Sequence, residues 1–421
     1  MFYRALYSCL LTLIAPFFLY GLYKKKEGKP AFGSRWKEHF GITPTLPPSE
    51  TQPLWIHAVS VGEVIAAIPI IRAIKQQAPE QQILVTTTTS TGAEQVNKLG
   101  DLVEHRYMPL DFGFSVKGFL KATNPAQMLI METELWPNTL NTVAKANIPI
   151  TVMNARLSER SCQRYAKLKS IFHLLSDNLN QVLCQHEDDA ERFIRLGMSK
   201  GKVHVTGSVK FDIEVNTGIK EKGEELRQQL GSERPIWIAA STHQGEDEQI
   251  LQAHQKLLKT SPDALLILVP RHPERFKPMA ALCQNEGFRV ITRTSNMAIQ
   301  SNTQVYLGDT MGEMLILIQA ADICFMGGSL IGNKVGGHNL LEPAALGKPT
   351  ITGPSYFNFA DITKQLLDVN ATSVCQNSDE LTGQLHELFE NPDQIKQQGK
   401  SALAVVEQNK GAIANTLTFI L

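Results

Sequence analysis

What this sequence lacks narrows its possibilities first. Neither sign of charge is in surplus: lysine plus arginine and aspartate plus glutamate each total 41 over 421 residues. No global field therefore draws the chain toward nucleic acid or anionic lipid, and any electrostatic targeting has to be local. The six cysteines (Cys9, Cys162, Cys184, Cys283, Cys324, Cys375) include no Cys-x-x-Cys pair. That scatter fits reduced, mostly buried thiols in a reducing compartment and argues against a disulfide framework or a zinc site. No Asp-x-Asp pair or His/Cys cluster of metal-ligand spacing ends an apolar run, so metal-independent chemistry is expected. Fixed-period repeats and low-complexity tracts are also missing.

What is present begins with an apolar run from Ala5 to Tyr23, broken only by Ser8, Thr12 and Pro16 and close to the length that spans a bilayer. Arg4 alone precedes it, whereas Lys24, Lys25, Lys26, Lys29, Arg35 and Lys37 follow. The positive-inside rule then places the bulk of the chain in the cytoplasm. A cleaved signal peptide would carry its charges at the other end and would need a small-residue cleavage site before the lysines. The expectation is a retained anchor over residues 1–23 followed by a basic juxtamembrane segment over 24–52. The alternative is a re-entrant or surface-lying helix, since Pro16 and the marginal length weaken a spanning assignment.

Beyond the basic segment, short apolar runs alternate with amphipathic ones. Leu54–Val59, Ile83–Thr88, Met128–Met131, Ile148–Met153, Val182–Gln185 and Val203–Thr206 read as strands. A polar stretch at 211–231 reads as a connection. The alternation then resumes with Ile236–Ala240, Leu265–Val269, Phe288–Ile291, Val305–Leu307, Ile323–Met326 and Thr350–Ile351. Strands separated by helical patterns imply an α/β fold of two Rossmann-like doubly wound domains, over 53–210 and 232–421, with ligands expected at the carboxyl ends of the strands.

Several chemistry-bearing groups fall at those strand ends. His57-Ala58-Val59-Ser60-Val61-Gly62-Glu63 runs from a strand through a small-residue turn into a helix. Glu63 can serve there as a base or simply as a favourable first-turn acid. Met131-Glu132-Thr133-Glu134-Leu135-Trp136-Pro137 places two acids after a strand; alternate positions in extended chain would share a side. They suit sugar hydroxyls, acid–base work or loop hydrogen bonding. Arg156, Arg160, Arg164 and Lys167 line one face of an expected helix, either solvated or facing lipid phosphates. In the second half, Val269-Pro270-Arg271-His272-Pro273 offers a cation for a phosphate. Gly327-Gly328-Ser329 and Gly336-Gly337-His338-Asn339-Leu340-Leu341-Glu342-Pro343 put glycine-rich backbone ahead of a helix, an expected anion cradle, with Glu342 suited to ribose hydroxyls. His338 reads as a loop hydrogen-bonding histidine rather than a catalyst.

The blocks HAVSVGE, METELWPN, NARLSERS, TGSVKFD, STHQGE, LVPRHPERF and GGHNLLEPAALGKP, in this order, resemble the Kdo (3-deoxy-D-manno-octulosonic acid) transferase family. The resemblance runs from the amino-terminal helix to the last hundred residues. It implies GT-B architecture and an inverting glycosyltransferase with no cofactor, taking Kdo from CMP-Kdo to a lipid A precursor, lipid IVA, at the cytoplasmic face of a bacterial inner membrane. Its expected partners are that donor, that acceptor and inner-membrane lipids, with no nucleic acid. Carried over by position, Glu63 matches the family's base and Glu132 an acid that helps place the acceptor, with Arg156 and Arg160 assigned to the same side. Lys210, Arg271, Ser329, Asn339 and Glu342 match donor-binding positions. Two rival readings remain on the residues alone. One is a nucleotide-sugar epimerase on the same fold, which has no use for an anchor; the other is a noncatalytic lipid- or nucleotide-binding protein.

Overall fold

In the computed structural model, residues 2–24 and 30–421 are described; Lys25, Lys26 and Lys29 of the basic segment lie outside them. The chain forms two compact units, Met1–Asp212 with Lys410–Leu421, and Ile213–Asn409. Each is built on one seven-stranded, wholly parallel sheet.

The first sheet contains β1 (Leu54–His57), β2 (Ile83–Thr87), β3 (Glu104–Tyr107), β4 (Gln127–Met131), β5 (Ile150–Ala155), β6 (Gln181–Cys184) and β7 (Val203–Val205), in the order β3-β2-β1-β4-β5-β6-β7. The strands are short and apolar because helices cover both faces. Trp55, Ile130 and Val152 look into one buried layer, and Ile56, Leu129 and Met153 into the other. Such two-sided burial is the mark of a parallel sheet. The strand order reverses between β1 and β4, and loops leave that reversal point in opposite directions, opening a crevice above the carboxyl ends.

The second sheet contains β8 (Ile236–Thr242), β9 (Leu265–Pro270), β10 (Val290–Thr292), β11 (Val305–Leu307), β12 (Ile323–Met326), β13 (Thr350–Thr352) and β14 (Thr372–Val374). Its order, β10-β11-β9-β8-β12-β13-β14, reverses between β8 and β12. The fold class expected from the sequence, two doubly wound α/β domains, is what the chain adopts.

Two boundaries and two strands differ from expectation. Residues 211–231 are not a mere connection: Thr217–Leu230 is a helix of the second unit, with Leu226 and Leu230 buried. Its charged surface leaves only Ile219, Leu226 and Leu230 as apolar positions, too few to stand out as a helical period. Lys410–Leu421 belongs to the first unit rather than to a domain running over 232–421. There Leu417 and Ile420 join the layer that covers Ile56 and Leu129. Finally, β3 and β14 went unread. The sequence of β3, Glu104-His105-Arg106-Tyr107, alternates in burial on an edge strand, and β14 has only three residues.

The amino-terminal helix, Phe2–Tyr23, is long and apolar enough to cross a membrane. It also touches the helices Pro137–Lys145 and Lys169–Ser176 of its own unit.

Candidate active site

In the first unit, both carboxylate motifs flank the strand-order reversal. Val61–Gln77 starts its helix just beyond β1, capped by Ser60, whose hydroxyl accepts the Glu63 N–H at 3.2 Å. Glu63 answers with its side chain: Oε1 accepts the Ser60 hydroxyl at 2.9 Å and Oε2 the Val59 N–H at 2.8 Å. This reciprocal cap fixes the carboxylate's orientation. Each oxygen still has a second lone pair, so the cap does not exhaust its capacity to take a proton. Only 7% of Glu63 is exposed. Burial pushes its pKa up, the Val59 and Ser60 hydrogen bonds pull it down, and the charges of Glu132 and Glu134 push it up again. The net shift is upward.

Glu132 follows β4 directly. Its N–H continues the ladder to the Met153 carbonyl at 2.9 Å, yet its φ is +57°. That left-handed backbone is uncommon for a glutamate and is held only where neighbours enforce it. The segment is thus a turn, and the expectation of extended chain carrying Glu132 and Glu134 on one side is corrected. Instead the Glu134 carboxylate accepts the Trp136 indole N–H at 3.3 Å, and the Trp136 ring meets the buried His57 edge-on at 5.4 Å. Arg156 lies in the loop after β5, not on the expected helix, and its carbonyl accepts the Thr133 hydroxyl at 3.1 Å. That bond ties Arg156 to the acidic turn. Arg160, Arg164 and Lys167 do share the exposed face of the helix Glu159–Lys167. Lys210 sits in a short 3-10 turn of the first unit, next to Val209, whose N–H is accepted by Asn154 Oδ1 at 3.3 Å.

In the second unit, a different set gathers at its own reversal point. The rings of His243, after β8, and His338 stack with centroids 5.0 Å apart, and their Nε2 atoms share a hydrogen bond of 2.8 Å. His272, after β9, meets His243 edge-on at 5.3 Å. Burial, His243, Arg271 and His272 together lower His338 to about 4. His243 is lowered by burial, His272, Arg275 and Arg271. Both rings are therefore neutral near pH 7, with the exposed Arg271 as the adjacent fixed cation. Arg271 also stabilises the ionised form of Glu342, whose pKa burial pushes up.

The turn after β12 is braced from within the protein. Glu246 is wholly buried and accepts the N–H groups of His243 at 2.7 Å, Gly328 at 2.6 Å, and Ser329 and Leu330 at 3.3 Å each. The amides after β12 are held by a protein carboxylate. Gly337 donates its N–H to the Gly328 carbonyl at 2.9 Å, and Asn339 Oδ1 accepts the Leu341 N–H at 3.1 Å. Ser329 is fully buried: its hydroxyl donates to the Met326 carbonyl at 2.7 Å and accepts the Gly353 N–H at 2.8 Å. The amides of Gly328, Ser329 and Leu330 are thus taken up by Glu246, and the Ser329 hydroxyl and Asn339 Oδ1 help brace the turn. The glycines are needed for close approach. A methyl at Gly328, φ +71°, would lie 3.0 Å from the His338 ring.

Sequence reasoning missed His243 and Glu246. Both stand in the quoted STHQGE block, and their position at a strand end was the available signal. Among the described residues no group of three or more His, Cys, Asp or Glu is placed to hold a metal ion.

Comparison with known proteins supplies the family. Residues 34–213 match the model of 3-deoxy-D-manno-octulosonic-acid transferase (kdotransferase), and residues 233–404 that of glycosyl transferases group 1. A 3-deoxy-D-manno-octulosonic acid transferase of Haemophilus influenzae is 40% identical over 99% of this chain and 98% of its own. One of Bordetella pertussis is 31% identical over 98% of each. Among solved structures, UDP-GlcNAc 2-epimerase from Neisseria meningitidis aligns over 88% of this chain and 98% of its own, with a TM-score of 0.56 at 14% identity. That likeness speaks to the fold alone. The full-length relatives decide between the readings left open by the residues: the chain is a glycosyltransferase and belongs to the 3-deoxy-D-manno-octulosonic acid transferase family.

Proposed function

We propose that the chain transfers Kdo from CMP-Kdo to a hydroxyl of lipid IVA in one inverting displacement without a metal ion, with Glu63 as general base. The acceptor oxygen attacks the anomeric carbon, the bond from that carbon to the CMP phosphate breaks, and the acceptor proton passes to Glu63. CMP leaves carrying the phosphate charge. The observation that carries this reading is Glu63 itself: a carboxylate fixed by its helix cap at the strand-order reversal, with its proton affinity raised by burial and by Glu132. A base so tuned is better matched to neutral pH than an ordinary carboxylate.

In this reading the first unit, with Glu132, Arg156 and Arg160, orients the acceptor. The second unit holds CMP, with Arg271 on the phosphate, Glu342 on the ribose and the His243/His338 pair beside them. Fixed cations at a leaving phosphate stabilise developing charge without a metal. Lys210 is assigned to the donor on the resemblance alone, and Asn339 and Ser329 support the donor loop through the turn they brace. The enzyme works at the cytoplasmic face of the inner membrane, held there by the helix Phe2–Tyr23.

The test is transfer by purified protein given CMP-Kdo and lipid IVA in excess EDTA. Stoichiometric CMP release and a product heavier by one or more Kdo residues are expected. Activity that disappears in EDTA and returns with magnesium would remove the metal-free mechanism; CMP release without a heavier lipid would remove the acceptor.

A further inference from the structure

The helix Phe2–Tyr23 has two faces with different neighbours. Arg4, Ser8, Leu11, Ala15, Leu19 and Leu22 recur at helical spacing and are half-buried. On the opposite side Leu6, Leu10, Leu13, Ile14, Phe17 and Tyr20 are exposed, Phe17 by 79%. The half-buried stripe extends nearly the whole length. Near its start, Asn138 donates its side-chain N–H to the Ser8 hydroxyl at 2.9 Å. At its end, the Tyr23 hydroxyl bonds His39 Nδ1 at 2.7 Å. Ser8 and Tyr23 are about 22 Å apart along a helix axis, most of the roughly 30 Å hydrocarbon thickness. A helix crossing the bilayer from Tyr23 would carry Ser8, and with it Asn138 and its neighbour Asp111, deep into hydrocarbon. Asp111 is a carboxylate that holds the N–H groups of Asn138 and Thr139, and burying such charge in lipid is costly.

At the amino-terminal foot of the same helix lies a recess of about 420 Å³, lined by Arg4, Lys117, Asn138, Asn141, Thr142 and Lys145. Three cationic residues line it, and among the described residues no carboxylate pairs with any of them. A cationic recess at the edge of an exposed apolar face has the charge and polarity pattern of a phospholipid at the depth of its head group.

We infer that the helix Phe2–Tyr23 lies in the plane of one leaflet rather than crossing the bilayer, with its exposed face among acyl chains and an anionic phospholipid's phosphate in the Arg4/Lys117/Lys145 recess. This rests on the membrane association proposed above and revises the single-pass expectation.

Two measurements test it. In the first, an Arg4→Cys, Cys9→Ser chain, whose new thiol sits at the head-group recess, is treated with a membrane-impermeant maleimide in spheroplasts and in inverted inner-membrane vesicles. Labelling only in inverted vesicles is expected; labelling from the periplasmic side, or only after detergent, overturns the proposal. In the second, flotation with phosphatidylglycerol vesicles compares Lys117→Gln/Lys145→Gln with the charge-matched control Lys75→Gln/Lys98→Gln. Binding should fall about fivefold for each recess cation removed and change little in the control. An equal loss in both would make the attraction a diffuse surface field. Displacement by inorganic phosphate at matched ionic strength would make the recess a free-anion site; either result overturns the lipid assignment. Turnover on detergent-dispersed acceptor should be the same in both pairs, which separates failure of this inference from failure of the transferase mechanism.

Discussion

A carboxylate that caps its own helix is ordinarily a structural group, and Glu63 is distinguished from that role by its surroundings. Replacing it with glutamine preserves size and most of the cap while removing basicity. The expected result is a melting temperature near wild type, a stability loss on the order of 1 kcal/mol or less, and single-turnover transfer lower by roughly two to four orders of magnitude. A folded Glu63→Gln protein keeping more than about a tenth of the rate rules out the base. The pH profile gives a second reading. Because the pKa of Glu63 is raised, kcat/KM should climb with pH along an acid limb above the ordinary carboxylate range, and Glu63→Gln should erase that limb. Glu132 raises Glu63 through its charge, so Glu132→Gln should move the limb to lower pH. A limb that stays in place would show that the two carboxylates are not coupled.

Among structural elements, the two strand-order reversals were legible in the sequence to different degrees. Around Glu63 and Glu132, apolar runs ending in small residues and acids marked strand ends, and the strand order confirms that β1 and β4 meet at the reversal. Around β12 the same style of reading does not reach the acceptor of the turn's amides. Glycine spacing reports where backbone must turn or approach closely, but not which acceptor takes the freed amides; here it is Glu246, 82 positions earlier than Gly328. No local pattern encodes that pairing. Its consequence is measurable, because a buried carboxylate with four N–H partners cannot be replaced isosterically. Glu246→Gln turns one oxygen into a donor facing N–H groups, with an expected cost of about 2 to 3 kcal/mol. Thermal melting of the second unit and nucleotide affinity should fall together. Glu342→Gln, which leaves the turn intact, should weaken nucleotide binding with little change in melting. If Glu246→Gln melts as wild type, the turn is held by something other than this carboxylate.

At the scale of the whole molecule, the chain leaves its first unit at Asp212 and returns to it at Lys410. The return could not be read from periodicity, since Ala412–Ile420 is an amphipathic helix that would suit either unit. What fixes it is specific. Asp212 accepts the Gly411 N–H at 2.7 Å and the Ile413 N–H at 2.6 Å, so one carboxylate at the exit point holds the start of the returning helix. Beyond that anchor, Leu417 and Ile420 are buried against the layer that includes Ile56 and Ile70. Each such side chain contributes about 1.5 to 3 kcal/mol when buried, and hydrogen bonds to a charged acceptor add about 1.5 kcal/mol or more apiece. Ending the chain at Asn409 therefore removes several kcal/mol from the first unit, comparable with the whole stability of an ordinary domain. It deletes nothing from the second. The expected outcome is a truncated protein that still binds CMP, yet whose first unit unfolds at markedly lower urea concentration and which no longer transfers sugar. Separate tryptophan probes resolve the two transitions: Trp55 is buried in the first unit and Trp237 in the second. Should both report an unchanged first transition, the carboxyl-terminal helix is an ornament of that unit rather than part of its core. Asp212→Asn, which keeps the chain complete and weakens only the anchor, should shift the Trp55 transition in the same direction by a smaller amount and leave the Trp237 transition in place.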